Sequence, residues 1–108
     1  MLSVIVPAYN EELMIEKTYA TISDILKSAE IENEIIFIDD GSSDKTYENI
    51  VSLADKVSNI SGLHFSRNFG KEAAISAGLA AAQGDAVVVI DCDLQHPPEK
   101  IVEMYKLW

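Results

Sequence analysis

Four short apolar runs alternate along this chain with longer segments of helical periodicity. The runs lie at 2–6, 34–39, 63–65 and 86–90. The last run is apolar at five consecutive positions and mostly β-branched, which is typical of a strand buried on both faces. Between the runs, apolar residues recur at spacings of three and four, which predicts amphipathic helices. The resulting order, βαβαβαβα, predicts an α/β fold with a parallel, Rossmann-like sheet and flanking helices.

Residues with special backbone or capping preferences predict where these elements begin and end. Pro7 closes the first strand, because proline has no N–H to donate to the sheet. Asn10 caps the first helix, which runs to about Ala29 and carries two glutamates in its first turn. Gly84 stops the third helix. The remaining boundaries are a cap at Ser42 or Ser43 for the second helix and a fourth helix that begins at Pro97 or Pro98.

The composition narrows the range of partners. Aspartate and glutamate number 18 against 8 lysines and arginines, so the net charge is −10. Such a surface disfavours nucleic acid and anionic membranes. The 108 residues, 48% of them hydrophobic, suffice for a single domain, 1–108. The sole cysteine excludes an internal disulfide, and no apolar run resembles a signal peptide or membrane span, so we expect a cytoplasmic chain.

A polar cluster follows each of the four predicted strands. These clusters are 7–11, 39–42, 67–71 and 91–98. The carboxyl ends of parallel strands meet at one edge of a sheet, and ligands of open α/β sheets bind at that edge. The phase of the clusters therefore predicts one shared ligand site.

Asp91 and Asp93 stand one residue apart where the fourth strand ends. Their charges repel each other, and a hard divalent cation such as Mg²⁺ or Mn²⁺ explains why a chain would keep both. Asp93 with Asp91 or Gln95 offers oxygen ligands, and the metal would bridge diphosphate oxygens. On this short motif alone, a solvated acidic loop remains an equal alternative.

The other clusters carry groups that suit a nucleotide. Tyr9 can stack on a base or a ribose, and Glu11 can accept a hydrogen bond from a sugar hydroxyl. Asp40 can accept from a base N–H or a ribose hydroxyl. Arg67 and Lys71 could hold a phosphate, and a plain surface role fits each of them equally well.

Several segments of the chain resemble a known family. Val4–Glu12, Ile38–Thr46 and Asp91–Asp93 resemble the family 2 glycosyltransferases of the GT-A fold. Arg67–Ala74, Ser76–Leu79 and Asp91–Glu99 are similar to the polyprenyl-phosphate glycosyltransferases, the group of dolichyl-phosphate mannosyltransferase and bactoprenol glucosyltransferase. The resemblance covers the whole chain. It implies the N-terminal, nucleotide-sugar-binding half of a GT-A fold.

The resemblance also implies roles for individual residues. The residues implied to bind the nucleotide are Pro7, Ala8, Tyr9, Glu11, Ile38 and Asp40, and those implied to lie along the diphosphate are Asp91, Cys92 and Asp93. Asp93 and Gln95 are the implied metal ligands, with Asp91 in support. Cys92 departs from the alanine expected there, a small change at a position where the contact is largely backbone.

The implied reaction is inverting transfer of a hexose from a UDP-glucose or GDP-mannose type donor to a polyprenyl phosphate. In the full-length protein this would occur at the cytoplasmic face of a membrane. The general base and acceptor loops are expected beyond Trp108, so the catalytic residues are unknown and the domain is expected to be incomplete at its C-terminus. The alternative is a nucleotide-binding fragment without turnover.

Two other aspartate-rich families fit less well. A haloacid-dehalogenase-type phosphatase would need Thr or Val at the position of Gln95, and both it and a receiver domain would place their aspartates at the first strand.

One consequence for assembly follows from the expected truncation. Strand 86–90 would lack a neighbour on its far side, and such an apolar edge favours a homo-oligomer.

Overall fold

The sheet is parallel throughout, and its strands are joined by helices. The computed structural model describes residues 1–93, 100 and 102. Its elements are β1 (Leu2–Ala8), α1 (Ile15–Ser28), β2 (Asn33–Asp39), α2 (Thr46–Lys56), β3 (Ile60–His64), α3 (Lys71–Ala81) and β4 (Ala86–Val89). The predicted α/β fold is therefore confirmed. The predicted helix at Pro97 or Pro98 lies outside the described residues.

The strand order places a reversal beside β1. The sheet runs β3-β2-β1-β4, so the chain builds outward from β1 through β2 to β3 and then returns to the opposite side of β1. Ligands of open α/β sheets bind in the crevice outside the carboxyl ends of strands where the order reverses. Here that crevice lies between the ends of β1 and β4.

Alternate residues of each strand build two apolar layers. On one face, β1 residues such as Val4 and Val6 pack with Ile22 and Leu26 of α1 and Ile50 of α2. On the other face, Ile5, Ile36 and Ile38 pack against Ala74 of α3. Burial of a side chain of this size stabilises the fold by about 1.5–3 kcal/mol. The two layers fix β1 and β2, the central strands, between helices.

β1 continues through Pro7 to Ala8, two residues past the predicted strand 2–6. Pro7 pairs with Ile38 and Ala8 with Asp39 in the parallel register with β2. The carbonyl oxygen of Ile5 accepts a hydrogen bond from the amide of Ile90. The backbone of a strand repeats every two residues, so the backbone nitrogen of Pro7 also faces the β4 side. The paired residues of β4 end before that level, and the missing N–H of proline therefore costs no ladder bond.

The first two helices begin later than predicted, and the proposed caps are wrong. Asn10 adopts a φ of +52°, a left-handed conformation that asparagine tolerates, and α1 begins only at Ile15. The glutamates 11 and 12 therefore precede the helix. α2 begins at Thr46, so neither Ser42 nor Ser43 caps it.

Gly84 has a packing role and does not cap α3, which ends at Ala81. A Cβ at residue 84 would lie 2.6 Å from the carbonyl oxygen of Met1 and from Oγ of Ser3. The glycine therefore permits the turn before β4 to approach the start of β1.

The expectation that β4 is buried on both faces is wrong within the described residues. Ala86 and Val88 pack on the core shared with α1, whereas Val87 and Val89 are 40% and 38% exposed. The reason is that α3, the described helix on that face, lies against β1 and β2 rather than against β4. No described helix combines the length and apolar character needed to span a bilayer.

Candidate functional site

Two adjoining cavities lie at the carboxyl ends of β1 and β4. The larger, about 230 Å³, is lined by Pro7, Tyr9, Glu11, Lys71, Asp91, Cys92 and Asp93. The smaller, about 130 Å³, is lined by Pro7, Ala8, Tyr9, Asp40, Lys71 and Asp91. Because they share four residues, we describe them as one strand-end crevice. It lies at the reversal in strand order, where α/β sheets bind ligands.

Most of the predicted site residues line this crevice, but two described ones do not. Ile38 is fully buried in the core beneath α3. Arg67 holds its guanidinium 4.8 Å from the centre of the Phe69 ring, in a cation–π contact outside the crevice. Gln95 lies outside the described residues. The roles assigned to these three residues stay predictions.

Lys71 and Asp91 form an ion pair across the crevice. The ammonium of Lys71, the first residue of α3, lies 2.5 Å from Oδ1 of Asp91, just after β4. Lys71 is 57% exposed, so the pair remains open to solvent and to a ligand. The contact offsets part of the repulsion between Asp91 and Asp93 and places a cation at the crevice wall.

Glu11 adds a third carboxylate to the larger cavity. Its burial raises its pKa, and the negative charges of Asp93 and Asp44 raise the pKa further. Repulsion of this kind is what a bound cation relieves. The chemistry of Glu11, Asp91 and Asp93, all carboxylates on one cavity, fits a hard divalent cation.

The described residues alone do not form a complete metal site. Within 1–93, 100 and 102, no three His, Cys, Asp or Glu side chains are grouped closely enough to hold an ion. One ligand that the sequence predicts, Gln95, lies outside the described residues. The metal site therefore stays a prediction that the donor chemistry supports.

Cys92 is anchored to α1. Its carbonyl oxygen accepts a hydrogen bond of 2.5 Å from the hydroxyl of Thr18, and its Sγ lies 3.8 Å from the same hydroxyl. Burial raises the pKa of the thiol to about 12, which makes it a poor nucleophile. The residue between the two aspartates therefore serves to hold them.

Side chains that follow β2 clamp the loop that follows β1. Three successive amides of this loop donate to them: Asn10 to Oγ of Ser42 (2.8 Å), Glu11 to Oγ1 of Thr46 (2.8 Å) and Glu12 to Oδ2 of Asp44 (3.3 Å). In return, the amide of Ser43 donates to Oδ1 of Asn10 at 2.9 Å. The clamp fixes the backbone that carries Tyr9 and Glu11.

Sequence reasoning missed the clamp and the anchor. The sequence predicts Ser42 or Ser43 as a helix cap, because serine serves caps and turns equally well, and it indicates no role for Asp44 or Thr46. Thr18 stands within the helical period of α1 and gave no signal at all. Asp39 was not missed, because the sequence favours a structural role for it in the turn. It is fully buried and accepts hydrogen bonds from the Ser42 amide at 3.0 Å and from Nδ1 of His64 at 2.7 Å.

Asp40, predicted to meet the nucleotide, lines the smaller cavity but also serves the protein. It is 4% exposed. Its carboxylate accepts hydrogen bonds from the segment that precedes α3. The carboxylate thus has partners within the chain.

The chain matches known sequences along its whole length. A family model described as glycosyl transferase family 2 matches residues 3–108. The chain is 46% identical to the uncharacterized glycosyltransferase YkcC of Bacillus subtilis (strain 168) over 98% of its own length and 33% of that protein. It is 45% identical to the bactoprenol glucosyl transferase of Shigella phage SfV over 99% of its length and 35% of that protein. The chain thus spans about a third of these relatives.

Solved structures show the same fold. Mannosyltransferase PcManGT from Pyrobaculum calidifontis, in complex with GDP-Man and Mn²⁺, has a TM-score of 0.80 and 26% identity over 97% of this chain and 31% of that one. Glucosyl-3-phosphoglycerate synthase from Mycobacterium tuberculosis, in complex with UDP, has a TM-score of 0.70 and 32% identity over 94% and 37%. The sheet is that of the GT-A glycosyltransferases. With a family match at residues 3–108, this chain belongs to glycosyl transferase family 2.

Proposed function

We propose that this chain forms the donor-binding part of a glycosyltransferase that uses a nucleotide diphosphate sugar. The observation that carries the proposal is the strand-end crevice, which gathers an aromatic ring, a lysine and carboxylates at the reversal in strand order. Similar chains have been solved with GDP-Man and Mn²⁺ and with UDP, which supports a nucleotide sugar as the ligand.

The exposed groups of the crevice suit the separate parts of such a donor. Tyr9 is 49% exposed and offers a ring face on which a base or ribose can stack. Lys71 can donate hydrogen bonds to diphosphate oxygens while its stem stays on α3. Glu11, on the clamped loop, can accept a hydrogen bond from a sugar hydroxyl. The crevice thereby orients the donor before transfer.

A divalent cation, Mg²⁺ or Mn²⁺, completes the proposal. Asp93 and Gln95 would hold it, with Asp91 in support. When bound, such a cation stabilises the negative charge that develops on the departing diphosphate. Lys71, paired with Asp91, adds a positive charge from the protein at the same wall.

For the acceptor we propose a polyprenyl phosphate, to which a hexose is transferred with inversion. Support comes from the 45% identity with bactoprenol glucosyl transferase. A polyprenyl phosphate resides in a membrane, so we propose that the complete enzyme works at its cytoplasmic face, in cell-wall or glycolipid synthesis. A phosphate oxygen is itself a competent nucleophile, which reduces the demand for a strong general base.

Calorimetry tests donor binding. UDP and GDP are titrated into the chain in the presence of Mn²⁺ and again with a chelator. We expect one nucleotide to bind in a metal-dependent manner, and Asp93→Asn to weaken that binding by at least about tenfold, as loss of a metal-supporting group does. Asp55→Asn makes the same charge change on the exposed face of α2 and should have no effect. Equal affinities in the wild type and Asp93→Asn would refute the metal role.

A second measurement separates a transferase from a nucleotide-binding module without turnover. UDP-glucose or GDP-mannose is incubated with undecaprenyl phosphate and Mn²⁺, and both the released nucleotide and the glycolipid are quantified. Transfer predicts equal amounts of the two products. Nucleotide binding with neither product would favour the module.

A further inference from the structure

Within the described residues, the carboxylate of Asp40 accepts hydrogen bonds from one short segment, 68–70. Oδ1 accepts the amide of Phe69 at 2.8 Å, and Oδ2 accepts the amide of Gly70 at 3.1 Å and Nδ2 of Asn68 at 3.2 Å. Nδ2 of Asn68 also lies 3.3 Å from the Asp40 carbonyl. Hydrogen bonds to an ionised carboxylate are stronger than neutral ones, so this buried group binds the segment firmly.

Gly41, the residue that follows Asp40, makes a second contact with the same region. Gly41 has a φ of +70°, and a Cβ there would collide with the backbone of Arg67 and Asn68. The backbone before α3 thus rests directly on the end of β2. Gly41 therefore permits the close approach at residues 67 and 68, and the hydrogen bonds to Asp40 hold segment 68–70 in place.

Lys71 follows this segment immediately and begins α3. Gly70 precedes the helix with a φ of +104°, and the Lys71 ammonium then reaches Asp91 at 2.5 Å. The direction in which α3 starts, and hence the position of the Lys71 side chain, depends on where residues 69 and 70 are held. Asp40 holds both of their amides.

We propose that Asp40 is a positioning residue, which sets Lys71 at the crevice wall by binding the amides of Phe69 and Gly70. The lysine then meets the phosphates of the donor, and in this respect the inference rests on the proposed function. A direct bond from Asp40 to the base or ribose is the competing role. The two roles predict different responses to a ligand that has no nucleoside.

The first test needs no ligand. The exposed amino groups are acetylated with a water-soluble N-hydroxysuccinimide ester, and the modification of Lys71 is followed by mass spectrometry. Asp40→Asn should speed the labelling of Lys71 by about two- to fivefold, the factor that loss of an exposed ion pair of up to about 1 kcal/mol gives. Lys17 and Lys56, on α1 and α2, are internal references and should not change.

Asp39→Asn is the matched control, because Asp39 is equally buried and adjacent but bonds Ser42 and His64. It should destabilise the protein without faster labelling of Lys71. Asn68→Ala removes one donor and leaves Asp40 in place, so it should fold even if Asp40→Asn does not, and it should speed the labelling to a smaller extent. Unchanged labelling in both the Asp40→Asn and Asn68→Ala proteins would overturn the proposal.

The second test compares UDP with inorganic diphosphate, both with Mg²⁺, by calorimetry. If Asp40 acts through Lys71, Asp40→Asn weakens both probes by the same factor, about tenfold for one charge-assisted hydrogen bond. That loss should vanish in a Lys71→Met background. Weaker binding of UDP alone would overturn the proposal in favour of a contact with the nucleoside. A wild-type protein that binds neither probe would refute the proposed function, whereas the labelling test would still decide the role of Asp40.

Discussion

The hydroxyl of Thr18 donates a hydrogen bond to the carbonyl oxygen of Cys92 across 74 positions of the chain. Both residues are buried, Thr18 completely. The bond ties the middle of α1 to the residue between Asp91 and Asp93. A polar side chain on the buried face of α1 thus fixes the backbone next to the carboxylates that line the crevice.

Thr18→Val should therefore affect stability and binding together. The substitution keeps the shape but leaves the Cys92 carbonyl without its partner, which costs about 1–3 kcal/mol. Urea denaturation measures the loss of stability. Titration with a nucleotide and Mn²⁺ measures the loss of affinity that follows if Asp91 and Asp93 are held less firmly. Thr18→Ser keeps the hydroxyl and should retain most of the affinity. If Thr18→Val is as stable as the wild type, the hydrogen bond is not a significant anchor.

Asp44 should contribute to the stability at neutral pH and lose that contribution in acid. Burial of Asp44 raises its pKa, but hydrogen bonds from the side chain and amide of Thr46 and from the amide of Glu12 outweigh burial and lower it. A pKa that folding lowers stabilises the folded state above the unfolded value, near 3.9, and the gain is lost as the pH falls through the folded value.

The comparison of the wild type with Asp44→Asn isolates this effect. At pH 7 the variant should be less stable by about 1 kcal/mol, because a charged carboxylate accepts the hydrogen bonds of the Thr46 and Glu12 amides more strongly than a neutral amide oxygen does. The difference should shrink below about pH 4. Urea denaturation over a pH series provides the measurement. A difference that stays constant down to pH 2 would show that Asp44 acts without its charge.

Gly84→Ala should destabilise the protein through overpacking. The new methyl group would lie 2.6 Å from the Met1 carbonyl oxygen and 2.9 Å from the Ser3 amide, so backbone at the start of β1 must shift. Such shifts cost about 1–3 kcal/mol. Gln83→Ala, at the exposed neighbouring position, should change the unfolding free energy by less than about 0.5 kcal/mol. Equal melting temperatures for the two variants would contradict the close approach.

Self-association through β4 stays a prediction. Within the described residues β4 pairs with β1 alone, and its exposed Val87 and Val89 lie at that edge of the sheet. Light scattering of the chain should show dimers or larger species, and Val87→Lys should reduce them because an edge lysine opposes strand pairing. Val51→Lys, at an equally exposed position of α2, is the control. A clean monomer of the wild type at high concentration would contradict the prediction.

The sequence by itself determined the element types, their order and the edge of the sheet at which the polar clusters meet. These properties follow from local periodicity, because a strand repeats every two residues and a helix every 3.6. The first residues of the helices could not be predicted as well from the sequence. Asn10 has the side chain of a good cap, but its hydrogen bonds with Ser42 and Ser43, more than 30 positions away, hold it in a left-handed turn.

Only the tertiary structure decided which of the clustered residues share the crevice. The position of β4 beside β1 joins Asp91 to Lys71 and excludes Arg67, which turns to Phe69. The tertiary structure also brings segment 68–70 into hydrogen-bonding contact with Asp40, and Thr18 with Cys92. These contacts join residues 20 or more positions apart, except that of Arg67, and no local pattern specifies a partner at such a distance. The residue types in the sequence determine which chemistry is possible. The packing of the strands determines which of these groups lie close enough to act together.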